Sequence, residues 1–358
     1  SLNIIFPEVY LNEENKQERI AKIKATMKDY LNSSVFAQEK KQFIYLERTT
    51  AYNRTRKGLM VAIDLETYEW KPFSKALIRA TEATIIDRIP PRMEIRRGAN
   101  LEMPHIMLLI NDKDNDLIEK VGNLVKTKTP VYDGKLMLNS GSITGWGVCE
   151  DTEINTVLEA LNKIAENNIQ SDGSTFLFAV GDGNHSLATA KECYNADKEN
   201  NSKYAMVEVV NIHDYSLEFE PIYRVVFGVN PKELLNDFVA TLGGEYEGTD
   251  AQKFTCVFGN ETREISVKGT GKLAVATLQT YLDDYLKKNT DAKIDYIHGK
   301  DVVHSLSKAK NTIGFIFEGM QKSELFPAIK QDGSLPRKTF SMGHAADKRF
   351  YIEARFNK

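Results

Sequence analysis

Residues 177–194, "LFAVGDGNHSLATAKECY", set two glycines, a carboxylate and an imidazole within five positions, between an apolar run and helix-forming sequence. Gly181 and Gly183 permit positive φ and close backbone approach. A helix opening directly behind them presents its first N–H groups and its positive dipole end, which favour an anion such as phosphate around Gly181, Gly183, Asn184 and Ser186. At such a mouth Asp182 can ligate Mg²⁺ or accept a proton from a hydroxyl. His185, near a helix N-terminus, should have a depressed pKa and be mostly neutral at pH 7. A plain turn accounts for the same residues: Asn184 or Ser186 caps the helix, the glycines make the bend and Asp182 favours the dipole.

Two further clusters carry anion-binding chemistry. "LIRATEATIIDRIPPRMEIRRGA" (77–99) holds Arg79, Glu82, Asp87, Arg88, Arg92, Arg96 and Arg97 around Pro90-Pro91. Arginine forks suit phosphate or carboxylate oxygens, and paired prolines keep a loop extended at low entropic cost. "GSLPRKTFSMGHAADKRF" (333–350) brings Arg337, Lys338, Thr339, Ser341 and His344 as candidate partners of an anion. A solvated charged loop and a surface strand with its turn are the alternatives for these two segments. "KGTGKLAV" (268–275) imitates a phosphate loop. A Walker A sequence, however, needs Gly where Ser266 stands and Ser or Thr where Leu273 stands, so it reads as a hairpin turn between strands. No H-E-x-x-H, G-x-S-x-G or G-x-G-x-x-G occurs, so zincin, α/β-hydrolase and dinucleotide-fold readings have no anchor.

These residues must be positioned by strands and helices. Ile20, Ile23, Met27 and Tyr30, at spacings of three and four, predict an amphipathic helix over 13–32. Strands are expected over 42–50 and 58–65, joined by a polar, basic turn with Asn53, Arg54, Arg56 and Lys57, and again over 105–110, 135–139, 143–149, 175–180, 204–212 and 222–228. Helical periodicity covers 114–126, 151–168 and 186–199. The order is not that of a doubly wound fold, so the chain reads as mixed α+β. Asn230 as N-cap, Pro231 at the first helical position and Gly243-Gly244 behind the helix open a new rhythm. Strands near 254–258, 263–268 and 272–278 and helices near 279–288, 300–309 and 319–329 then make a smaller α/β unit. The expected division is a main α+β domain over 1–228, the smaller α/β insert over 229–335, and a C-terminal strand, 336–358, returning to the main domain.

The chain has 358 residues, 42% apolar and 27% charged, with a formal net charge of −3. That balance belongs to a folded globular protein, and at about 150 residues per domain it suggests two domains. A protein built for the nucleic-acid backbone needs clustered uncompensated Lys and Arg, so a small molecule is the expected partner. Cys149, Cys193 and Cys256 stand too far apart for a zinc ribbon or a disulfide framework, which suggests a reducing compartment. No run approaches 18 apolar residues and the N-terminus lacks a signal-peptide pattern, so a cytoplasmic location with no membrane partner is expected.

Taken together, "GLMVAIDLE", "IRATE…DRIPPR", "MPHIMLLI", "VGDGNHSLATAK", "EFEPIYRVV" and "LPRKTFSMG…DKRFYIEAR" resemble the domain-of-unknown-function 1015 family of bacteria and archaea, in the family's order. The family's usual signature is Asp-Gly-His-His-Arg; here Asp182, Gly183 and His185 match, and Asn184 and Ser186 depart. The signature is similar to that of ParB/sulfiredoxin-like proteins, which include kinases of free serine and CTP-binding partition proteins. The resemblance implies a ParB/sulfiredoxin-like mixed-sheet domain and a nucleotide phosphate, from ATP or ADP, near Gly181–Ser186. It further implies phosphoryl transfer to a small hydroxylated metabolite, with Asp182 holding Mg²⁺. Arg79, Arg88, Arg92, Arg337 and Lys338 would meet phosphate charge, and Glu82 or His185 would take the acceptor's proton. A non-catalytic nucleotide- or metabolite-binding regulator and a metal-dependent phosphohydrolase are the alternatives, the departures at Asn184 and Ser186 favouring the regulator.

Overall fold

A computed structural model describes residues 2–36, 41–50, 54–103, 106–343 and 350–357. The chain divides into two units, Ser1–Leu217 with His344–Lys358, and Glu218–Gly343.

In the first unit the helix α1 (Lys16–Leu31) buries Ile20, Ile23 and Met27 of the predicted apolar stripe, and Ile23 and Met27 pack with Ile4 and Leu101, the partly buried Tyr30 beside them. The strands are β1 (Phe43–Thr49), β2 (Thr55–Asp64), β3 (Tyr68–Glu69), β4 (Ile78–Arg79), β5 (Leu101–Glu102), β6 (Met107–Ile110), β7 (Tyr132–Lys135), β8 (Ser142–Val148), β9 (Phe178–Asp182) and β10 (Tyr204–Asn211). Among the described residues nine of these form one mixed sheet in the order β3-β4-β9-β6-β10-β2-β1-β8-β7. The pairs β3/β4, β4/β9 and β6/β10 are parallel, and β1 and β2 form an antiparallel pair.

Helices α2 (Ile89–Arg96), α3 (Ile118–Val125), α4 (Asp151–Asn167) and α5 (Asn184–Ala196) complete the unit. Val121 and Val125 of α3, Val157 and Ile164 of α4, and Leu187 and Ala190 of α5 pack on Leu108, Val180, Val207 and Val209 of the sheet. Each such Val, Leu or Ile side chain contributes about 1.5–3 kcal/mol when fully buried. This core fixes the end of β9, and so the start of α5.

The second unit contains β11 (Phe219–Phe227), α6 (Pro231–Thr241), β12 (Ala251–Phe258), β13 (Glu261–Lys268), α7 (Ala274–Lys288), β14 (Lys293–His298), α8 (Lys300–Leu306), β15 (Thr312–Phe317), α9 (Leu325–Asp332) and β16 (Phe340–Met342). Its sheet runs β13-β12-β15-β11-β14 with β16 beside β11, all antiparallel. Asn230 caps α6, its side-chain oxygen accepting from the Lys232 and Glu233 N–H groups, as the sequence predicts. The C-terminal β17 (Arg355–Phe356) pairs with β5 of the first unit.

Several expectations change. The division falls after Leu217 and Gly343, not after 228 and 335, because β11 lies between β15 and β14 in the second sheet and β16 pairs with it. The segment 272–278 leads into α7, which begins at Ala274, and is not a strand; the helix's buried Val275, Leu278 and Leu282 repeat at helical spacing, a pattern a short apolar run conceals. "KGTGK" therefore joins a strand to a helix, and three of its backbone N–H groups are engaged by neighbouring side chains. The Thr277 hydroxyl oxygen accepts from the Thr270 and Gly271 N–H groups, and Asp332 accepts from that of Lys272. Strands β14 and β15 have no counterpart among the expected elements. In place of a strand over 135–139, β7 ends at Lys135 and Leu138 takes φ 57° in a short turn. Arg56 and Lys57 belong to β2 rather than to a turn, and Arg56 is buried; Asn53 and His344 lie outside the described residues. No helix among the described residues is long and apolar enough to cross a membrane.

Candidate functional site

Strand β9 ends at Asp182, and Gly183 follows with φ 84° as the residue preceding α5. An L side chain in that left-handed region costs about 1–2 kcal/mol, which glycine avoids. Asp182 Oδ1 accepts from the Gly183 N–H at 2.8 Å, tightening the bend. Gly183, the N-cap residue of α5, offers no capping side chain, and the first turn begins with the Leu187 N–H donating to the Gly183 carbonyl. The leading N–H groups of a 13-residue helix thus face the loop with their positive dipole end.

Parallel pairing of β4 with β9 sets Arg79 opposite Ala179, so the chain leaving β4 runs past the start of α5. There Thr81 and Asn184, both buried, join the two segments. The Thr81 N–H donates to Asn184 Oδ1 at 3.1 Å, Asn184 Nδ2 donates to Thr81 Oγ1 at 3.0 Å, and the Thr81 hydroxyl donates to the Val180 carbonyl at 2.6 Å. Four residues on, the Ile85 N–H donates to His185 Nε2 at 3.2 Å. Glu82, partly buried, lies between these two fixed points.

Burial depresses the His185 pKa, the nearby Arg88 and Arg92 charges add to the effect, and Glu8 opposes it. The ring is neutral at pH 7, consistent with an unprotonated Nε2 accepting from Ile85. Since the folded-state pKa lies below the unfolded value of 6.5, the unfolded chain binds more protons between the two. The stabilisation from a neutral His185 is therefore complete above about 6.5 and is lost as pH falls through that window. An NMR titration of the His185 ring should give a pKa below the ordinary histidine value; one at or above it would remove the cationic surroundings inferred for the ring.

Arg88 is exposed at the end of a short turn, Ile86–Arg88, and its carbonyl accepts from Arg92 on α2 at 2.8 Å. Arg92 also pairs with the carboxylate of Glu8. Of the sequence candidates, Gly181, Asp182, Gly183, Asn184, His185 and exposed Ser186 share the loop, with Glu82, Arg88 and Arg92 beside it. Arg79 does not join them. Its guanidinium turns back to the Ala76 carbonyl and the Ser174 hydroxyl and sits 4.5 Å from the Phe176 ring centre, because a buried guanidinium takes the acceptors and aromatic face nearest to it.

Arg337 and Lys338 belong to the second unit, where Arg337 bonds to Tyr296 and to Asp283 at 3.0 Å. Their carbonyls accept from the buried Arg224, and the Thr339 and Ser341 hydroxyls donate to the Pro336 and Gly343 carbonyls. Spacing misses Thr81 and Glu8: Thr81 is 103 positions from Asn184 and Glu8 is 84 from Arg92, so no local pattern links them. Among the described residues no group of three or more His, Cys, Asp or Glu side chains gathers as a metal cage.

The fold and this loop define an α+β protein with a large mixed sheet and a glycine-bracketed helix N-terminus. The chain matches the family described as "Protein of unknown function (DUF1015)" over residues 1–331 and belongs to that family. A search of curated proteins gave no match. Among solved structures the chain is similar to a free serine kinase variant in complex with AMP, at 12% identity over 86% of this chain and 90% of that one, with TM-score 0.46. A conserved hypothetical protein from Pyrococcus furiosus aligns at 11% identity over 80% and 91% of the two chains, TM-score 0.41. SbnI with a C-terminal truncation, from Staphylococcus aureus, aligns at 10% identity over 80% and 83%, TM-score 0.40.

Proposed function

We propose that the first unit is a ParB/sulfiredoxin-like domain whose Gly181–Ser186 loop binds the phosphates of ATP or ADP, and that the protein transfers a phosphoryl group to a small hydroxylated metabolite such as free serine. The observation that carries this reading is the start of α5 with glycine at its N-cap, Gly183, and with Arg88 and Arg92 close enough to depress the His185 pKa. Fixed N–H dipoles and guanidinium charges of this kind stabilise a transferring phosphoryl group by position and electrostatics. Mg²⁺ is commonly bound by one or two carboxylates together with substrate phosphates, so the Asp182 carboxylate suits that ion; bound there, it would neutralise phosphate charge. Glu82 takes the proton of the acceptor hydroxyl as the new O–P bond forms and the bond to the leaving nucleotide breaks. His185, its Nε2 engaged by Ile85, is the poorer base.

That engaged ring favours a second reading, a nucleotide-binding regulator without turnover. The deciding assay follows labelled phosphate from ATP or ADP, with Mg²⁺, to L-serine and a panel of small hydroxy metabolites, with phosphate release measured in parallel. Labelled acceptor is the expected product; release without an acceptor marks a phosphohydrolase. A ligand at a hundred times its Kd adds about 2.7 kcal/mol, so the binding nucleotide should raise the melting temperature by a few degrees. Binding without either product leaves the regulator, and no shift with any nucleoside di- or triphosphate overturns nucleotide binding.

A further inference from the structure

The first turn of α5 grips the Thr81–Ile85 segment at both ends. At one end the carboxamide of Asn184 both accepts from the Thr81 N–H and donates to the Thr81 hydroxyl, which passes its own proton on to the Val180 carbonyl. At the other end the His185 ring accepts from the Ile85 N–H. Asn184 is 9% and Thr81 1% exposed, so their polar atoms face each other across the two segments rather than a ligand. Buried networks of this kind rigidify what they join when every member is satisfied, and they loosen when one is removed.

We propose that Asn184 and Thr81 are positioning residues, a clasp that fixes the Glu82 backbone against the start of α5 and so sets where its carboxylate meets the acceptor hydroxyl. This inference rests on the phosphotransferase reading above. It gives Asn184, a departure from the family signature, a role that needs no contact with nucleotide. Glu82 follows Thr81 directly, with only two residues between it and the second fixed point at Ile85. Its backbone thus has little freedom while both ends are held. Loss of the clasp should displace the carboxylate and leave the glycine loop, Asp182 and the helix N-terminus in place.

The test uses the full chain with Thr81→Val, Thr81→Ser and Asn184→Ala, and reads three quantities: kcat for phosphoryl transfer, nucleotide Kd, and amide hydrogen exchange over Glu82–Ile85. A misplacement of about 1 Å can cost a hundredfold in rate, so Thr81→Val is expected to lower kcat roughly tenfold or more. In Thr81→Val, which lies outside the phosphate loop, nucleotide Kd should stay within about twofold, as befits a group that binds no ligand. Exchange at Glu82–Ile85 should accelerate in Thr81→Val and Asn184→Ala, and Thr81→Ser, which keeps the hydroxyl, should restore both kcat and protection. Should Asn184→Ala fail to fold, Thr81→Val and its serine rescue decide the matter. Unchanged kcat in Thr81→Val, or nucleotide affinity falling in step with kcat, would overturn the clasp. If the wild-type protein binds nucleotide and transfers nothing, the phosphotransferase reading fails by itself. The clasp is then judged by exchange alone: faster exchange in Asn184→Ala keeps it, and unaltered protection removes it.

Discussion

Asp182→Asn is expected to reduce phosphoryl transfer by about 10²–10⁴ while leaving the fold in place. The native carboxylate accepts from the Gly183 N–H at 2.8 Å, and an asparagine carboxamide oxygen can accept from the same donor. The bend into α5 therefore survives, and what disappears is the negative charge proposed to hold Mg²⁺ at the phosphates. The measurement pairs the rate of labelled-phosphate transfer with the melting temperature. A large loss of rate at nearly constant stability is the expected result. Undiminished transfer would remove Asp182 from the mechanism, and a loss of rate matched by a loss of folding would make it structural. Glu82→Gln separates the two carboxylates, since on this reading it removes the base but leaves the metal-binding group untouched.

The largest stability effect is expected two strands across the sheet from that loop, where Met107 of β6 pairs with Asp182 on one side and with Glu208 on the other. Arg56 donates through two nitrogens to the two carboxylate oxygens of Glu208, at 3.1 and 2.9 Å, and the Tyr351 hydroxyl donates to Glu208 at 2.8 Å. Arg48 sits 4.8 Å from the Tyr351 ring centre. Burial alone would raise the Glu208 carboxyl, but the Arg56 and Arg48 charges and the Tyr351 hydroxyl hold it below its ordinary range. Gly58 makes room for the pair: a Cβ there would stand 2.5 Å from a Glu208 oxygen. Glu208→Ala leaves the Arg56 guanidinium buried and unpaired and should cost about 3–5 kcal/mol in urea denaturation. Replacing both partners with apolar residues, Arg56→Met with Glu208→Leu, should recover the part of that loss due to Arg56 but not all of it, because the buried Arg48 still loses the Glu208 charge near it. A single-variant cost below about 1 kcal/mol would mean that the site admits water or relaxes around the charge.

These two sites show which features are local and which are not. The amphipathic stripe of α1, the capped start of α6 and the break between β9 and α5 at Gly183 depend on residues a few positions apart, whose spacing, capping chemistry and φ preference act before any tertiary contact forms. They are legible in the sequence, and so is the neutrality of His185. Its cause is not, since burial and the charges of Arg88 and Arg92, which come from packing, lower the pKa, rather than the helix N-terminus the sequence suggests. Other outcomes were decided by the assembled structure. Arg56 reads as part of a basic turn until β10 brings Glu208 from 152 positions away to neutralise it in the core. Arg79 reads as a phosphate ligand until the Ala76 carbonyl and the Ser174 hydroxyl claim its donors. The apolar run 272–278 fits a strand or a helix equally, and α7 is chosen by which face its neighbours bury. Asn184 reads as a cap or a ligand contact, yet its carboxamide spans to Thr81, because parallel pairing of β4 and β9 carries that segment past the helix start. Sequence alone thus determined where backbone conformation changes and which side chains could do chemistry. Tertiary structure decided which of them meet, since hydrogen bonds and charge pairs are satisfied by whatever the fold brings within about 3 Å, regardless of distance along the chain.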